Sequence, residues 1–261
     1  MRNMEGKVAL VSAASKGLGR ASALSMARRG AKIGLFSRNA DEAAAAAEDI
    51  SKEADIETWH CAAGIGTVEG VKYFIEGGAG HFGGVDVLVS NAGGPPPGEF
   101  NDFSDDDWRR AFELSVMSAV RLVDAVLPHM KGRGYDRIIF NLSGSVREPI
   151  PNLTLSNVMR PAVAGLSKFL SRELAGDGIL VNVVAPGAVL TDRVRQNRAA
   201  FSKKKNISLE ESLAVATKQI PLGRLGEPDE FGAMVGFLVS PGASYITGGY
   251  ILVDGGRLKA I

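Results

Sequence analysis

Two stretches of this chain carry residue types suited to binding phosphate. Ser12-Ala13-Ala14-Ser15-Lys16-Gly17-Leu18-Gly19 directly follows the apolar run Val8-Ala9-Leu10-Val11 and opens a segment of helical periodicity. A strand-to-helix turn built from residues without bulk lets backbone amides and the helix N-terminus face a pyrophosphate. Its plainer reading is a tight turn with no ligand. The second stretch, Ser37-Arg38-Asn39, ends the apolar run Ile33-Gly34-Leu35-Phe36. An acid at that place would hydrogen-bond the ribose hydroxyls of NAD, whereas a cation accommodates the 2′-phosphate of NADP. There is no acid here, and Lys16 is expected close to Arg38. The planar fork of arginine donates two parallel hydrogen bonds to phosphate, so the reading is NADP(H) in preference to NAD(H).

The elements that must position these residues follow from the apolar pattern. Val8 to Val11, Ile33 to Phe36, Val87 to Val89, Ile138 to Phe140, Ile179 to Val184 and Ile251 to Val253 read as strands, with Glu57 to Ala62 a weaker one. The strong ones are apolar on both faces, as strands inside a parallel sheet are. Helical segments alternate with them: Gly17 to Arg29, the alanine-rich Asp41 to Ala54, Asp105 to Leu127 with Ser104 as its cap, and a helix from Pro228 to Leu238. Alanine has the best helix propensity, and Asp105, Asp106 and Asp107 suit the positive end of a helix. The alternation predicts a single α/β domain over residues 1–261, a doubly wound parallel sheet with helices on both faces.

Three stretches break the pattern after the fourth, fifth and sixth strands. They are the rigid run Gly93-Gly94-Pro95-Pro96-Pro97-Gly98, the two-proline segment Arg147 to Asn152, and the polar, basic segment Thr191 to Glu211. All leave the carboxyl ends of strands, where open α/β sheets bind ligands. Arg193, Arg195, Arg198, Lys203, Lys204 and Lys205 crowd the last of them. Such cations could attract the phosphates of an acyl-coenzyme A or the acidic face of an acyl carrier protein. A solvated helix face is the plainer alternative.

Composition bounds the rest. The 261 residues suit one domain with a large core, and 45% hydrophobic content is ordinary for a globular protein. A net charge of +1 makes no electrostatic case for nucleic acid or a membrane surface. No apolar run reaches the roughly 18 residues of a transmembrane helix, and Met1 leads into an apolar strand pattern without a signal-peptide core. Cys61 is the only cysteine, so no internal disulfide forms. The expectation is a soluble, cytoplasmic protein. No motif surrounds His60, His81 or His129, and no metal site is expected.

The motifs together resemble the short-chain dehydrogenase/reductase family, over nearly the whole chain from Gly6 to about Gly256. The glycine turn is similar to the family's Thr-Gly-x-x-x-Gly-x-Gly, with Ser12 and Ala13 in its first two places. Asn91-Ala92-Gly93 matches the family's Asn-Ala-Gly, and Pro186-Gly187 with Thr191 matches the segment that holds the nicotinamide carboxamide. Gly248-Gly249 to Val253-Asp254-Gly255-Gly256 resembles the closing strand. The resemblance implies that Ser12, Ser15, Lys16, Gly17, Leu18, Ser37 and Arg38 hold the adenosine and phosphate end of the cofactor. It implies that Asn91, Ala92 and Gly93 form the wall beside the adenosine ribose, with Pro186, Gly187, Val189 and Thr191 at the nicotinamide. The family's usual acid after the third strand is missing from Cys61-Ala62-Ala63-Gly64-Ile65, which implies altered adenine binding.

At the reacting end the chain departs from its relatives. In the family a Tyr-x-x-x-Lys motif supplies proton donor and ribose ligand, a Ser orients the substrate, and an Asn on the preceding long helix holds a water. Aligned through Gly165-Leu166-Ser167-Lys168, those positions carry Ser156 for Tyr, Arg160 for Lys, Ser143 for Ser and Ser115 for Asn. An aliphatic hydroxyl lies far above the phenol's pKa of about 10 and is a poor general acid. Arg160 keeps its proton, yet it can bind the ribose or steady a developing alkoxide. Tyr73, Tyr135, Tyr245 and Tyr250 all lie outside this helix, and nothing in the sequence places one at the site. Pro161 implies that the helix either begins late or bends beside the site. The closest subgroup by these features resembles 3-oxoacyl-acyl-carrier-protein reductases. The implied activity is NADP(H)-dependent reduction of a 3-oxoacyl-like substrate or a small ketone or aldehyde. The alternative is a non-catalytic NAD(P)-binding protein or a partner subunit. The family's usual faces, the Asp105 helix and the Ser156 helix, imply a homodimer or homotetramer.

Overall fold

The computed structural model describes residues 2–130 and 134–260. Seven parallel strands form one sheet in the order β3-β2-β1-β4-β5-β6-β7. They are β1 Val8–Val11, β2 Lys32–Ser37, β3 Thr58–Ala62, β4 Val87–Ser90, β5 Asp136–Asn141, β6 Ile179–Pro186 and β7 Tyr250–Val253. The weaker strand expected at Glu57 to Ala62 is thus real, and it pairs with β2 through Ile33 and Thr58. Because β1 lies between β2 and β4, winding reverses there, and the carboxyl ends of β1 and β4 part to leave a crevice.

Helices pack on both faces: α1 Gly17–Ala27, α2 Ala40–Ala54, α3 Val68–Phe82, α4 Asp105–Phe112, α5 Ser118–Met130, α6 Thr154–Glu173, α7 Asp192–Lys205, α8 Leu209–Thr217 and α9 Pro228–Leu238. On one face Leu24, Met26, Ile50, Phe231 and Val235 meet the strand residues Ile33 and Val87. On the other, Phe74, Leu122, Val126, Val163 and Leu170 meet Leu10, Leu88 and Ile138. Burying each such side chain is worth about 1.5–3 kcal/mol, so the central strands are clamped from both sides, while the edge strand β3 leaves His60 and Ala62 exposed. Among the described residues no helix is long and apolar enough to cross a membrane.

Three expectations need correction. The segment from Thr191 to Glu211 is not an irregular loop but contains α7 and the start of α8. Its polar residues are caps: Thr191 accepts from the Val194 amide, Ser208 forms a reciprocal box with Glu211, and Asn206 closes α7 in the left-handed conformation. The helix from Asp105 runs to Met130, not Leu127, and is interrupted by a wider π turn over Glu113–Met117. The α6 helix starts at Thr154 and passes through Pro161 without a late beginning. The proline ring sits on the exposed face, and the amide it lacks would have bonded Asn157.

Candidate active site

The turn between β1 and α1 is stapled from below by β4. Buried Ser12 accepts the Asn91 amide at 2.7 Å and donates its hydroxyl to the Asn91 carbonyl at 2.6 Å. The Asn91 carboxamide donates in turn to the carbonyls of Ser12 at 3.2 Å and Ala13 at 3.0 Å. This leaves Ala13 at φ +49, a left-handed conformation that costs a residue with a Cβ about 1–2 kcal/mol. Gly19 has no room for a side chain, because a Cβ there would lie 2.5 Å from the Ala13 carbonyl oxygen and 2.7 Å from the Asn91 Nδ2. Gly17 is also left-handed, at φ +59, and Thr191 comes down over it, 3.7 Å from where its Cβ would stand. Leu18 packs against the first core cluster and Ala92 against the second, while Gly93 is exposed beyond them.

At the end of β2 the cationic and hydroxyl groups come together. The Ser15 hydroxyl donates to Glu42 at 3.2 Å and lies 3.2 Å from the Ser37 hydroxyl, and Lys16 Nζ lies 3.3 Å from the other Glu42 oxygen. Arg38 is exposed and, among the described residues, has no ionic partner. Glu42 was not singled out from the sequence. The signal available was its place three residues after Asn39, whose side chain caps α2 by accepting the Glu42 amide. A carboxylate here competes with a 2′-phosphate for Lys16. Glu42→Gln is therefore expected to tighten NADPH by about 3- to 10-fold, since an exposed ion pair is worth about 0.2–1 kcal/mol and like-charge repulsion adds to it. NADH should change little. Fluorescence titration of both nucleotides decides it, and equal changes in the two would refute the assignment.

The segment after β6 closes the opposite side. Gly187 donates its amide to Val253 at 3.0 Å, buried Val189 bridges to Gly226, and Pro186 ends the strand. Thr191 then caps α7 directly above the glycine turn.

At the reacting end, Ser143 caps a short 3-10 turn, its hydroxyl accepting the Ser145 amide at 3.2 Å. Ser156 and Arg160 are four residues apart and so share one face of α6. The partner of Ser156 is Ser145, whose hydroxyl is 3.3 Å away in a buried contact; no hydrogen bond joins Ser156 to Ser143. The Ser-Gly-Ser spacing of residues 143–145 was the sequence signal for this and was not used. Arg160 is only 8% exposed and donates Nη1 to the Asn141 carbonyl at 3.1 Å. Burial, reinforced by the charge of Arg193, pulls its pKa down to about 10. Ser115 stands in the π turn, with a buried hydroxyl that has no partner, and both amide atoms of Asn141 are likewise buried and unpaired. Such turns recur at functional sites. Unsatisfied buried polar atoms are expensive, about 1–3 kcal/mol each.

Tyr250 is nearer than the sequence suggested. Its phenol donates to the Ser143 carbonyl at 2.6 Å, and burial pushes its pKa up to about 12. It holds the Ser143 turn from below, and with that pKa it is a weak acid. The flanking loops are tied together: Gly98 donates its amide to the Asn152 carbonyl and accepts the Thr154 amide, and the Asn157 carboxamide brackets Ile150. Across the mouth, Arg193 donates to the carbonyls of Gly94 and Pro95, each at 3.0 Å. Arg195, Lys203 and Lys205 are exposed, Arg198 lies over the Phe201 ring, and the Lys204 side chain falls outside the described residues. His81 pairs with Glu57 far from the crevice, and no cluster of three or more metal-ligating side chains occurs among the described residues.

Residues 12–257 match the family model described as enoyl-(acyl carrier protein) reductase. The chain is 36% identical over 256 residues to the 3-oxoacyl-[acyl-carrier-protein] reductase FabG of Vibrio cholerae, spanning 97% of this chain and 98% of that one. It is 33% identical over 258 residues to dehydrogenase/reductase SDR family member 4 of Caenorhabditis elegans, spanning 98% and 96%. The solved structure of L-sorbose reductase from Gluconobacter frateurii, complexed with NADPH and L-sorbose, covers 100% of this chain and 99% of its own. Its TM-score is 0.95 at 32% identity.

Proposed function

The chain belongs to the short-chain dehydrogenase/reductase family, and from that membership we propose that it is an NADP(H)-dependent reductase of a carbonyl compound, either 3-oxoacyl-like or a small ketone or aldehyde. The crevice suits the cofactor on its own evidence. The crowded approach at Gly19, the Ser15, Ser37 and Lys16 group, and the exposed Arg38 that follows Ser37 all fit a phosphorylated dinucleotide. In this reading the glycine turn with Asn91 holds the pyrophosphate end, and Pro186, Gly187, Val189 and Thr191 hold the carboxamide. When bound, the reduced nicotinamide supplies the hydride.

The observation that carries the reading is Arg160, a buried cation on the helix face of Ser156, with donors to spare beyond its bond to Asn141. A carbonyl oxygen placed beside it gains negative charge as its carbon is reduced, and a fixed cation in a low-dielectric crevice steadies that charge. Ser143 and Ser156 orient the oxygen. The proton comes from water, relayed through the hydroxyl pair Ser145 and Ser156, because neither hydroxyl is acidic enough to serve alone. Ser115 takes the place of the water-holding group. Turnover is accordingly slow, since a well-placed proton donor is typically worth about 10²–10⁴-fold.

The same Ser145 contact favours a second reading, a nucleotide-binding protein that has lost hydride chemistry, since no phenol stands beside Arg160 on α6. Absorbance at 340 nm separates the two. NADPH consumption with at least one of a panel of ketones, aldehydes and 3-oxoacyl thioesters supports the reductase. Tight NADPH binding without turnover, together with activity gained by the Ser156→Tyr/Arg160→Lys double variant, sinks it. We also place the contact between copies on the outer faces of α5 and α6, where Val120, Val158 and Phe169 are exposed apolar side chains.

A further inference from the structure

We infer that the carbonyl substrate is itself an anion: a short oxo acid whose carboxylate is received by Arg193 at the mouth of the crevice while its carbonyl oxygen meets Arg160 on the floor. The inference rests on the reductase reading and narrows it. A guanidinium taken out of water without a counter-charge is costly, and proteins normally pair it. Arg160 is buried, yet its single partner is a backbone carbonyl, that of Asn141. Arg193 keeps part of its surface in solvent, and its hydrogen bonds among the described residues go only to the backbone carbonyls of Gly94 and Pro95. Among the described residues, neither forms an ion pair with any carboxylate. Asp192, next to Arg193 in the chain, sits in the first turn of α7 and pairs with neither arginine.

The placement is as informative as the lack of partners. Arg193 projects from the start of α7, after β6, and reaches back to the loop that follows β4. Arg160 is bonded at the end of β5, the strand paired with β4, and its guanidinium feels the positive charge of Arg193. Two like charges repel unless something negative joins them, and a cleft of one sign gathers the opposite ion. The two bonds of Arg193 use one hydrogen on each terminal nitrogen, leaving its Nε and two further N–H groups for a ligand. Arginine matches a carboxylate in shape as well as charge. The proposed place of the cofactor phosphates is the glycine turn and the Lys16 group, where Thr191 lies over Gly17.

The test compares 2-oxobutanoate, acetoacetate and 4-oxopentanoate with their methyl esters as substrates under saturating NADPH. At least one acid is expected to exceed its ester by about 10- to 100-fold in kcat/KM, the range of a charge-assisted hydrogen bond. In Arg193→Met that ratio should fall toward one with an unchanged Kd for NADPH. Esters turned over as well as acids overturn the inference. So does a variant whose loss lies in NADPH affinity, because Arg193 would then serve the cofactor's phosphates. If no compound is reduced, the reductase reading has failed separately, and calorimetry of 4-oxopentanoate with the NADP⁺-loaded protein still decides the anion site. Binding that Arg193→Met abolishes supports it, and absence of binding overturns it.

Discussion

Replacing Arg160 with methionine is expected to cut kcat/KM for carbonyl reduction by about 10²–10³-fold, the usual effect of losing one fixed donor to an oxyanion, and at the same time to stabilise the fold. The two effects have one cause. The guanidinium is buried with one backbone partner, and its pKa is pulled down to about 10. A depressed pKa on a base means that the folded state disfavours the charged form. That penalty is present in full at every pH below about 10 and is relieved only as the pH rises through this value toward the ordinary arginine range. At neutral pH it amounts to about 3 kcal/mol held against folding, taking about 1.4 kcal/mol per pH unit. Methionine fills similar space without charge, and such replacements are often neutral or stabilising. Urea titration and steady-state kinetics on the same preparations test both halves. A variant that is much less stable would make Arg160 a structural residue. One that is equally active would remove it from the reaction.

Gly19→Ala should weaken NADPH by about 10- to 100-fold and lower stability by about 1–3 kcal/mol, the cost of overpacking. The added methyl would press on the Ala13 carbonyl at 2.5 Å, the Asn91 Nδ2 at 2.7 Å and the Ala14 Cα at 3.0 Å. Two of these are backbone atoms, so no rotamer change relieves the contact. Moving Ala13 or Asn91 breaks the bonds from the Asn91 carboxamide that hold the turn open to a phosphate. Gly80→Ala and Gly176→Ala are the controls, since nothing lies within 4 Å of either position. Fluorescence titration with NADPH and thermal melting of all three variants settle the matter; a Gly19 variant binding like the controls would contradict this account of the turn.

The alternation of apolar runs with helical segments was enough to anticipate the parallel sheet, because a strand buried on both faces must be apolar throughout wherever it pairs. The glycine turn, Asn91 and the segment from Pro186 to Thr191 were legible for a related reason: a tight turn permits few residue types, and these are written in consecutive letters. The helices after Thr191 were hidden, because their weak apolar periodicity drowned the capping signals of Thr191, Asn206 and Ser208. Ser156 and Arg160, which the family resemblance sets at the places of a Tyr and a Lys, were equally plain from one segment of chain. What they touch was not. Ser145 reaches Ser156 across 11 residues, Lys16 meets Glu42 across 26, and Arg193 reaches Gly94 across 99. Periodicity and spacing report on neighbours within a turn or two, whereas these contacts depend on how far each side chain extends once the sheet has set its elements side by side. Residue type alone therefore determined that a cation occupies position 160. Only the packed structure decided that it is buried, bonded to the Asn141 carbonyl, and without a carboxylate partner among the described residues.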